Sequence, residues 1–355
     1  MTRRKKLIFA LAAATIALVV SVSGLLIVDI YLHGRYERSA GYNVWGYRGP
    51  RVGAKQRGEL RIAMLGGSTA YGYGVNWDEA IPAQLERELT SPAKPISVVN
   101  LGYNNEGAYS LRFTLEDYLW LHYDVAVLYE GYNDVQLTPP DVNRQVFRRD
   151  SPIFRLTGYL PIFPVIFKEK AAALRSGGAP GSAYDGSQQT VFRPGLAARG
   201  AAGMLSTLSD VSDAIGQQAN GVSSPQHRDA PERGASGCEF PWTLYCESMA
   251  AAVEFARSHD IAVLVVSQPE LPASTSGRAR HVHQQQQLAA MIARRFGSDP
   301  RVQYVAMQGV VDTGDLSKSF DLMHLNADGN RLVAQHLAAA VREFLPRLTN
   351  KSHGT

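Results

Sequence analysis

Residues 7–28, LIFALAAATIALVVSVSGLLIV, form a run of 22 positions without a charge. A helix of that length rises ~33 Å, enough to cross a bilayer core of about 30 Å. Beyond it the pattern changes. Five short, β-rich apolar runs lie at 61–65 (RIAML), 96–100 (ISVVN), 124–129 (DVAVLY), 261–267 (IAVLVVS) and 302–306 (VQYVA). They alternate with stretches of helical period at 79–90, 109–121, 246–259, 282–296 and 327–345. Short, continuously apolar runs separated by helices are the signature of parallel strands covered on both faces. The expected class is α/β: a five-stranded parallel sheet covered by helices on both faces, preceded by one N-terminal transmembrane helix.

The rhythm is broken once, at 136–237. The first part of that interval carries aromatic and aliphatic residues. The second part, 177–237, holds 11 of the 32 glycines among many Ser, Gln and Ala residues. It reads as a mobile insertion on one domain rather than a second domain. Residues 36–58 are aromatic, basic and glycine-rich without a period. The expected organisation is a cytoplasmic basic N-terminus (1–6), a transmembrane anchor (7–28), a tether that packs back on the domain (29–58), one catalytic domain (59–347) and a short tail (348–355).

Charge adds direction to the first segment. Arg3, Arg4, Lys5 and Lys6 supply +4, and the rest balances at 32 basic against 32 acidic residues. Basic residues before an apolar run keep the N-terminus in the cytoplasm. The expected location is the inner (cytoplasmic) membrane, crossed once, with the catalytic domain in the periplasm. A cleaved signal has a shorter apolar core and small residues at its end, and Asp29-Ile30-Tyr31-Leu32 is a poor cleavage site. No basic excess remains to suggest nucleic acid. Two cysteines, Cys238 and Cys246, exclude a disulfide scaffold. An oxidising compartment would permit a bridge between them, but spacing cannot show whether the geometry fits.

The first strand runs into Gly66-Gly67-Ser68-Thr69. No lysine follows, which excludes a P-loop, and Gly72-Tyr73-Gly74 comes too late for a dinucleotide fingerprint. A tight turn and an exposed serine nucleophile both fit. Near the C-terminus, Asp321-Leu322-Met323-His324 precedes a helix. A carboxylate three residues before a histidine can hold one imidazole nitrogen and leave the other free for a serine hydroxyl. His281 and His283 flank Val282 at the start of a polar, glutamine-rich helix and read as surface or loop residues. A His-x-His metal pair there lacks an evident third ligand. Asn100 to Gly107 follows the second strand, and Glu130-Gly131-Tyr132-Asn133-Asp134 follows the third. Gly amides and Asn side chains are the donors an oxyanion hole needs, although the same residues also make ordinary turns.

Taken in order, these four segments resemble the SGNH (GDSL-type) hydrolases, whose blocks contribute Ser, Gly, Asn and His. Gly66-Gly67-Ser68 matches the first block, with Gly67 in place of the usual Asp. Asn100-Leu101-Gly102 through Gly107 matches the second, Gly131-Tyr132-Asn133-Asp134 the third, and Asp321-Leu322-Met323-His324 the last. The resemblance covers roughly 59–135 and 261–345. It implies a flavodoxin-like three-layer sandwich around the five-stranded parallel sheet, with Ser68 as nucleophile, His324 as base and Asp321 as its orienter. The oxyanion donors would be the Ser68 amide, the Asn133 side chain and a second-block amide. The family's oxyanion glycine usually falls five residues after the block's Asn, where this chain has Asn105. A turn longer by two residues brings Gly107 into the role, so Gly107 is expected, with Asn105 and Gly102 behind it.

The resemblance implies a membrane-anchored serine esterase acting on acyl esters, O-acetyl among them, with no metal or cofactor. Its substrate would be an acylated small molecule or polysaccharide, by association with the cell envelope. An O-acyltransferase with the same triad is the nearest alternative. A non-catalytic carbohydrate-binding or scaffold protein is a more distant one.

Overall fold

The computed structural model describes residues 2–349 except 40, 92–94, 136–142, 165, 167–236, 274 and 276. Most of the 136–237 interval, including the stretch expected to be mobile, lies outside the described residues.

Helix α1 (Arg3–Tyr36) is continuous through the apolar run and eight residues past it. It is long and apolar enough to cross a membrane, and residues 7–28 are exposed along their whole length. Strand β1 (Leu60–Gly66) follows, then the one-turn helix α2 (Ser68–Tyr71), α3 (Ile81–Leu89), β2 (Ile96–Asn100), α4 (Ala108–Asp117), β3 (Val125–Tyr129) and α5 (Tyr132–Val135). Two short helices, α6 (Phe147–Asp150) and α7 (Pro152–Thr157), precede α8 (Thr243–Ser258), β4 (Ala262–Val266), α9 (Arg278–Phe296), β5 (Val302–Val305) and α10 (Ala327–Thr349). Each strand falls within one residue of the expected run. Helix boundaries differ by up to four residues, because caps and termini depend on neighbours that local periodicity does not encode.

All five strands are parallel, in the flavodoxin-like order β2-β1-β3-β4-β5. The period of two along each strand sorts side chains between two cores. Ala63, Leu65, Ala126, Leu128, Val263 and Val265 face α4, α8 and α9. Ile62, Met64, Val125, Val127, Ala262 and Leu264 face α3 and α10. Both faces are buried, so the strands read as continuous apolar runs without alternation.

The segment expected as a tether is part of this fold. Tyr42, Asn43, Tyr47 and Arg48 are buried, and the Arg48 amide donates to the Asn100 carbonyl (3.1 Å), extending the β2 edge. Cys238 and Cys246 are joined by a disulfide, with Cα atoms 6.2 Å apart, at the start of α8.

Candidate active site

Every segment singled out for its chemistry leaves the carboxyl edge of the sheet, where open α/β folds bind ligands. Gly66 ends β1 against β3 so closely that a β-carbon there would lie 2.0 Å from the Tyr129 carbonyl oxygen. The chain then turns into α2, placing Ser68 at its first position, 8% exposed. The Asp321–His324 turn lies ahead of α10, whose first amides are capped by the Asn326 side chain (Asp328, 3.0 Å; Gly329, 3.1 Å). Leu322 adopts φ +69°, a conformation β-carbon-bearing residues rarely take. This turn is over-determined by its surroundings. The Asp321 carboxylate accepts the amides of Met323 (3.2 Å) and His324 (2.8 Å), and the Phe320 amide donates to the His324 carbonyl (2.8 Å).

The three side chains meet across 256 residues of sequence. His324 Nδ1 lies 2.7 Å from Asp321 Oδ2, and His324 Nε2 lies 2.8 Å from Ser68 Oγ. A carboxylate only accepts, so Nδ1 carries the proton and Nε2 presents its lone pair to the serine hydroxyl. Burial pushes the Asp321 carboxyl up. The bonds from His324 and the turn amides outweigh that and hold it below the usual carboxylate range. The Tyr73 ring packs on the imidazole, 4.8 Å between centroids.

Asn133 stands beside the serine turn on α5, and its Nδ2 donates to the Glu106 carbonyl (2.7 Å). Gly67 fits between them: a β-carbon there would lie 2.1 Å from Asn133 Nδ2, 2.9 Å from the Glu106 carbonyl oxygen and 2.9 Å from Glu130 Oε2. The departure from Asp at this position therefore has a steric basis. The usual side chain has no room here, where the Glu130 carboxyl lies close by.

The three second-block candidates occupy different surroundings. The Gly102 amide donates to Asn100 Oδ1 (3.0 Å). Gly107 is the N-cap of α4 in extended conformation, with its α-carbon against the Asp134 carboxylate. Asn105 adopts φ +62°, the region that glycine and asparagine tolerate best. Asp134 holds this turn by accepting the amides of Ala108 (2.8 Å) and Asn143 (2.9 Å).

Several residues that build the site carry no sequence motif. Buried Arg48 donates to the carbonyls of Tyr71 (2.6 Å) and Gly72 (2.6 Å), at the open C-terminal end of the helix that begins with Ser68. Buried Arg148 bonds the carbonyls of Gly46 (2.7 Å), Leu101 (2.8 Å) and Gly102 (3.1 Å) and stacks on Tyr103. Gln268, just past β4, joins the Ser68 turn to the third block: its Nε2 donates to Thr69 Oγ1 (2.7 Å) and its Oε1 accepts the Tyr132 amide (2.6 Å). No local pattern in the sequence marks them.

The glutamine-rich helix needs a correction. His281 is fully buried against the Tyr132 ring, and Gln284 is fully buried with Nε2 donating to the Gly131 carbonyl (3.1 Å). His283 is half-buried and accepts the Trp242 indole N–H (3.0 Å). The polar face of α9 turns inward because it supplies hydrogen bonds to the third block, so composition pointed to the wrong side. Burial pushes the His281 imidazole down to about 4, so it is neutral at physiological pH.

Three buried carboxyls lie beneath the site. Burial pushes Asp134 up to about 6. It pushes Glu106 up to about 7, with Arg148 partly opposing, and Glu130 up to about 8, with the Asp134 charge adding to the effect.

The profile of the GDSL-like lipase/acylhydrolase family matches residues 64–332. The chain belongs to that family, and it is a hydrolase acting on ester bonds. No curated protein matches it in sequence. Among solved structures it is similar to the psychrotrophic esterase EstA from Pseudoalteromonas sp., at 11% identity over 81% of this chain and 98% of that one, with a TM-score of 0.40. It is also similar to an acetylxylan esterase from Geobacillus stearothermophilus, at 11% identity over 83% and 96%, with a TM-score of 0.41.

Proposed function

We propose that the protein is a membrane-anchored serine esterase whose domain lies outside the cytoplasm and hydrolyses acyl esters through Ser68, His324 and Asp321. The observation that carries this reading is the chain of bonds from Ser68 Oγ through His324 to Asp321. Ser68 Oγ attacks the ester carbonyl carbon as its proton passes to His324 Nε2. Asp321 stabilises the imidazolium and keeps its orientation. The tetrahedral oxyanion accepts from the Ser68 amide and from Asn133 Nδ2. One N–H of that amide is held by the Glu106 carbonyl, which aims the other. For the third donor, the left-handed backbone of Asn105 supports Asn105 ahead of Gly107. The C–O bond then breaks, and the imidazolium returns its proton to the leaving alcohol. Water, deprotonated by His324, attacks acyl-Ser68. The carboxylic acid leaves and the serine regains its proton.

The basic cluster and the exposed apolar helix support the anchor, the cytoplasmic N-terminus and the extracytoplasmic domain. A disulfide suits an oxidising compartment. O-acetyl groups on polysaccharide are the proposed substrate class.

The test is a panel of chromogenic acyl esters on the full-length protein in detergent. Ser68→Ala and His324→Ala should each lower kcat by several orders of magnitude, and Asp321→Asn by somewhat less. Unchanged turnover in Ser68→Ala removes the triad. Acetate released to water, rather than moved to an added glycan, separates hydrolysis from transfer.

A further inference from the structure

We propose that the catalytic domain makes a second contact with the membrane, through α7 and the adjoining Trp45 and Trp120, and that its partner is the lipid headgroup layer around the exit of α1. This rests on the reading of α1 as a membrane anchor.

The uncharged run of α1 ends at Val28. The next residue, Asp29, is only 4% exposed, and its carboxylate accepts the Phe163 amide (2.6 Å) and the Tyr159 hydroxyl. One turn further, His33 is equally buried. Its Nδ1 lies 2.7 Å from the Tyr42 carbonyl oxygen and its Nε2 lies 3.1 Å from that of Leu160. Helix and domain are thus joined by side-chain bonds at the point where the apolar helix ends. A free tether would let the domain face the membrane in any attitude. This joint places 159–163 at the helix exit.

Among the described residues, those that surround that point are largely apolar and exposed. Gly158, the C-cap of α7, precedes Tyr159 directly. On α7, Phe154 is buried, whereas Ile153 is 52% and Leu156 85% exposed. The Leu160 amide bonds the Val44 carbonyl (3.0 Å), which brings the neighbouring Trp45 beside Gly158. Trp45 is exposed and packs edge-on against the exposed Trp120, 5.8 Å between centroids. Ile30 and Tyr31 on α1 are exposed just past Asp29, and Arg155 is exposed between Ile153 and Leu156. Single exposed apolar residues need no explanation. A group of them sharing one location does. Aliphatic tips, two tryptophans and a cation at the level of a helix exit match the interfacial layer, where indole rings and arginine settle with their polar ends in the headgroups.

The experiment uses full-length protein in phosphatidylcholine–phosphatidylglycerol vesicles. Leu156→Cys, Ile153→Cys and Ser298→Cys are labelled one at a time with an environment-sensitive fluorophore. The native cysteines are paired, so the label goes to the new thiol. Ser298 is exposed ahead of β5, at the sheet edge opposite β2, where Arg48 adds. Doxyl groups placed near the lipid headgroups should quench the label at 153 and 156 several-fold more than at 298. Water-like, unquenched emission at 153 and 156, from protein that stays on the vesicles in high salt, overturns this contact and leaves the anchor standing. A shielded label that doxyl lipid does not quench marks a protein neighbour, and also overturns it. Release of the protein by salt overturns the anchor reading, and this contact with it.

Discussion

Gly67 and Asn133 share a space that only a glycine leaves open: the β-carbon missing at 67 would lie 2.1 Å from Asn133 Nδ2. The same β-carbon would press on the Glu106 carbonyl, which orients that amide. Of its three nearest neighbours the Glu106 carbonyl is backbone, so the Asn133 and Glu130 side chains are what must move. Gly67→Ala should therefore displace Asn133 and lower kcat strongly in a protein that still folds, and Gly67→Asp should do at least as much harm. Full activity in a folded Gly67→Ala protein would separate Asn133 from the serine turn.

Asn133 itself can be tested as an oxyanion donor against the simpler role of closing a turn. Removing one such donor typically costs ~2.7–4 kcal/mol of transition-state stabilisation, or about 10²–10³ in kcat. Asn133→Ala should lower kcat by that order with little change in KM. Melting temperature and kcat measured on one preparation decide the matter. Lost stability with an unchanged rate would take Asn133 out of the site.

Glu130 gives stability a pH dependence with a definite sign. Its carboxyl titrates near the ordinary value of about 4.3 when unfolded and at about 8 when folded, because burial disfavours the charge. Between those values the native state binds more protons than the unfolded one, so stability falls as pH rises and levels above the folded value. Glu130→Gln keeps the shape of the neutral acid and cannot ionise. Its melting temperature relative to wild type should rise between about pH 5 and about pH 9. A constant difference over that window would mean that Glu130 does not titrate in the native state.

The Cys238–Cys246 bridge closes a short loop at the head of α8. On the chain-entropy estimate a loop of this size contributes roughly 2–3 kcal/mol. The double substitution to serine should lower the unfolding free energy, measured by denaturant titration, by that order while kcat stays near wild type. A large loss of kcat at full folding would tie the bridge to the site.

Much of this protein is written locally. Five apolar runs specified five strands to within a residue, because a strand buried on both faces needs an unbroken row of apolar side chains. The blocks holding Ser68, Asn133 and Asp321–His324 were legible because turn residues at strand ends must be small or polar. The long apolar helix α1 was legible because a run of 22 uncharged residues shows in the sequence itself. Tertiary structure alone decided the rest. Arg48, Arg148 and Gln268 bond main-chain groups of distant segments, and nothing near them in sequence names those partners. His281 and Gln284 look like surface residues until the third block is seen to need their hydrogen bonds. Gly67 reads as a lost carboxylate until Glu130 and Asn133 fill the space beside it. The segment 29–58 reads as a tether until Asp29, His33 and Arg48 find carbonyls, amides and a hydroxyl to hold. Strand and helix periods depend on neighbours a few residues away. Buried polar groups take their partners from wherever the chain returns, and that is settled only when the whole fold closes.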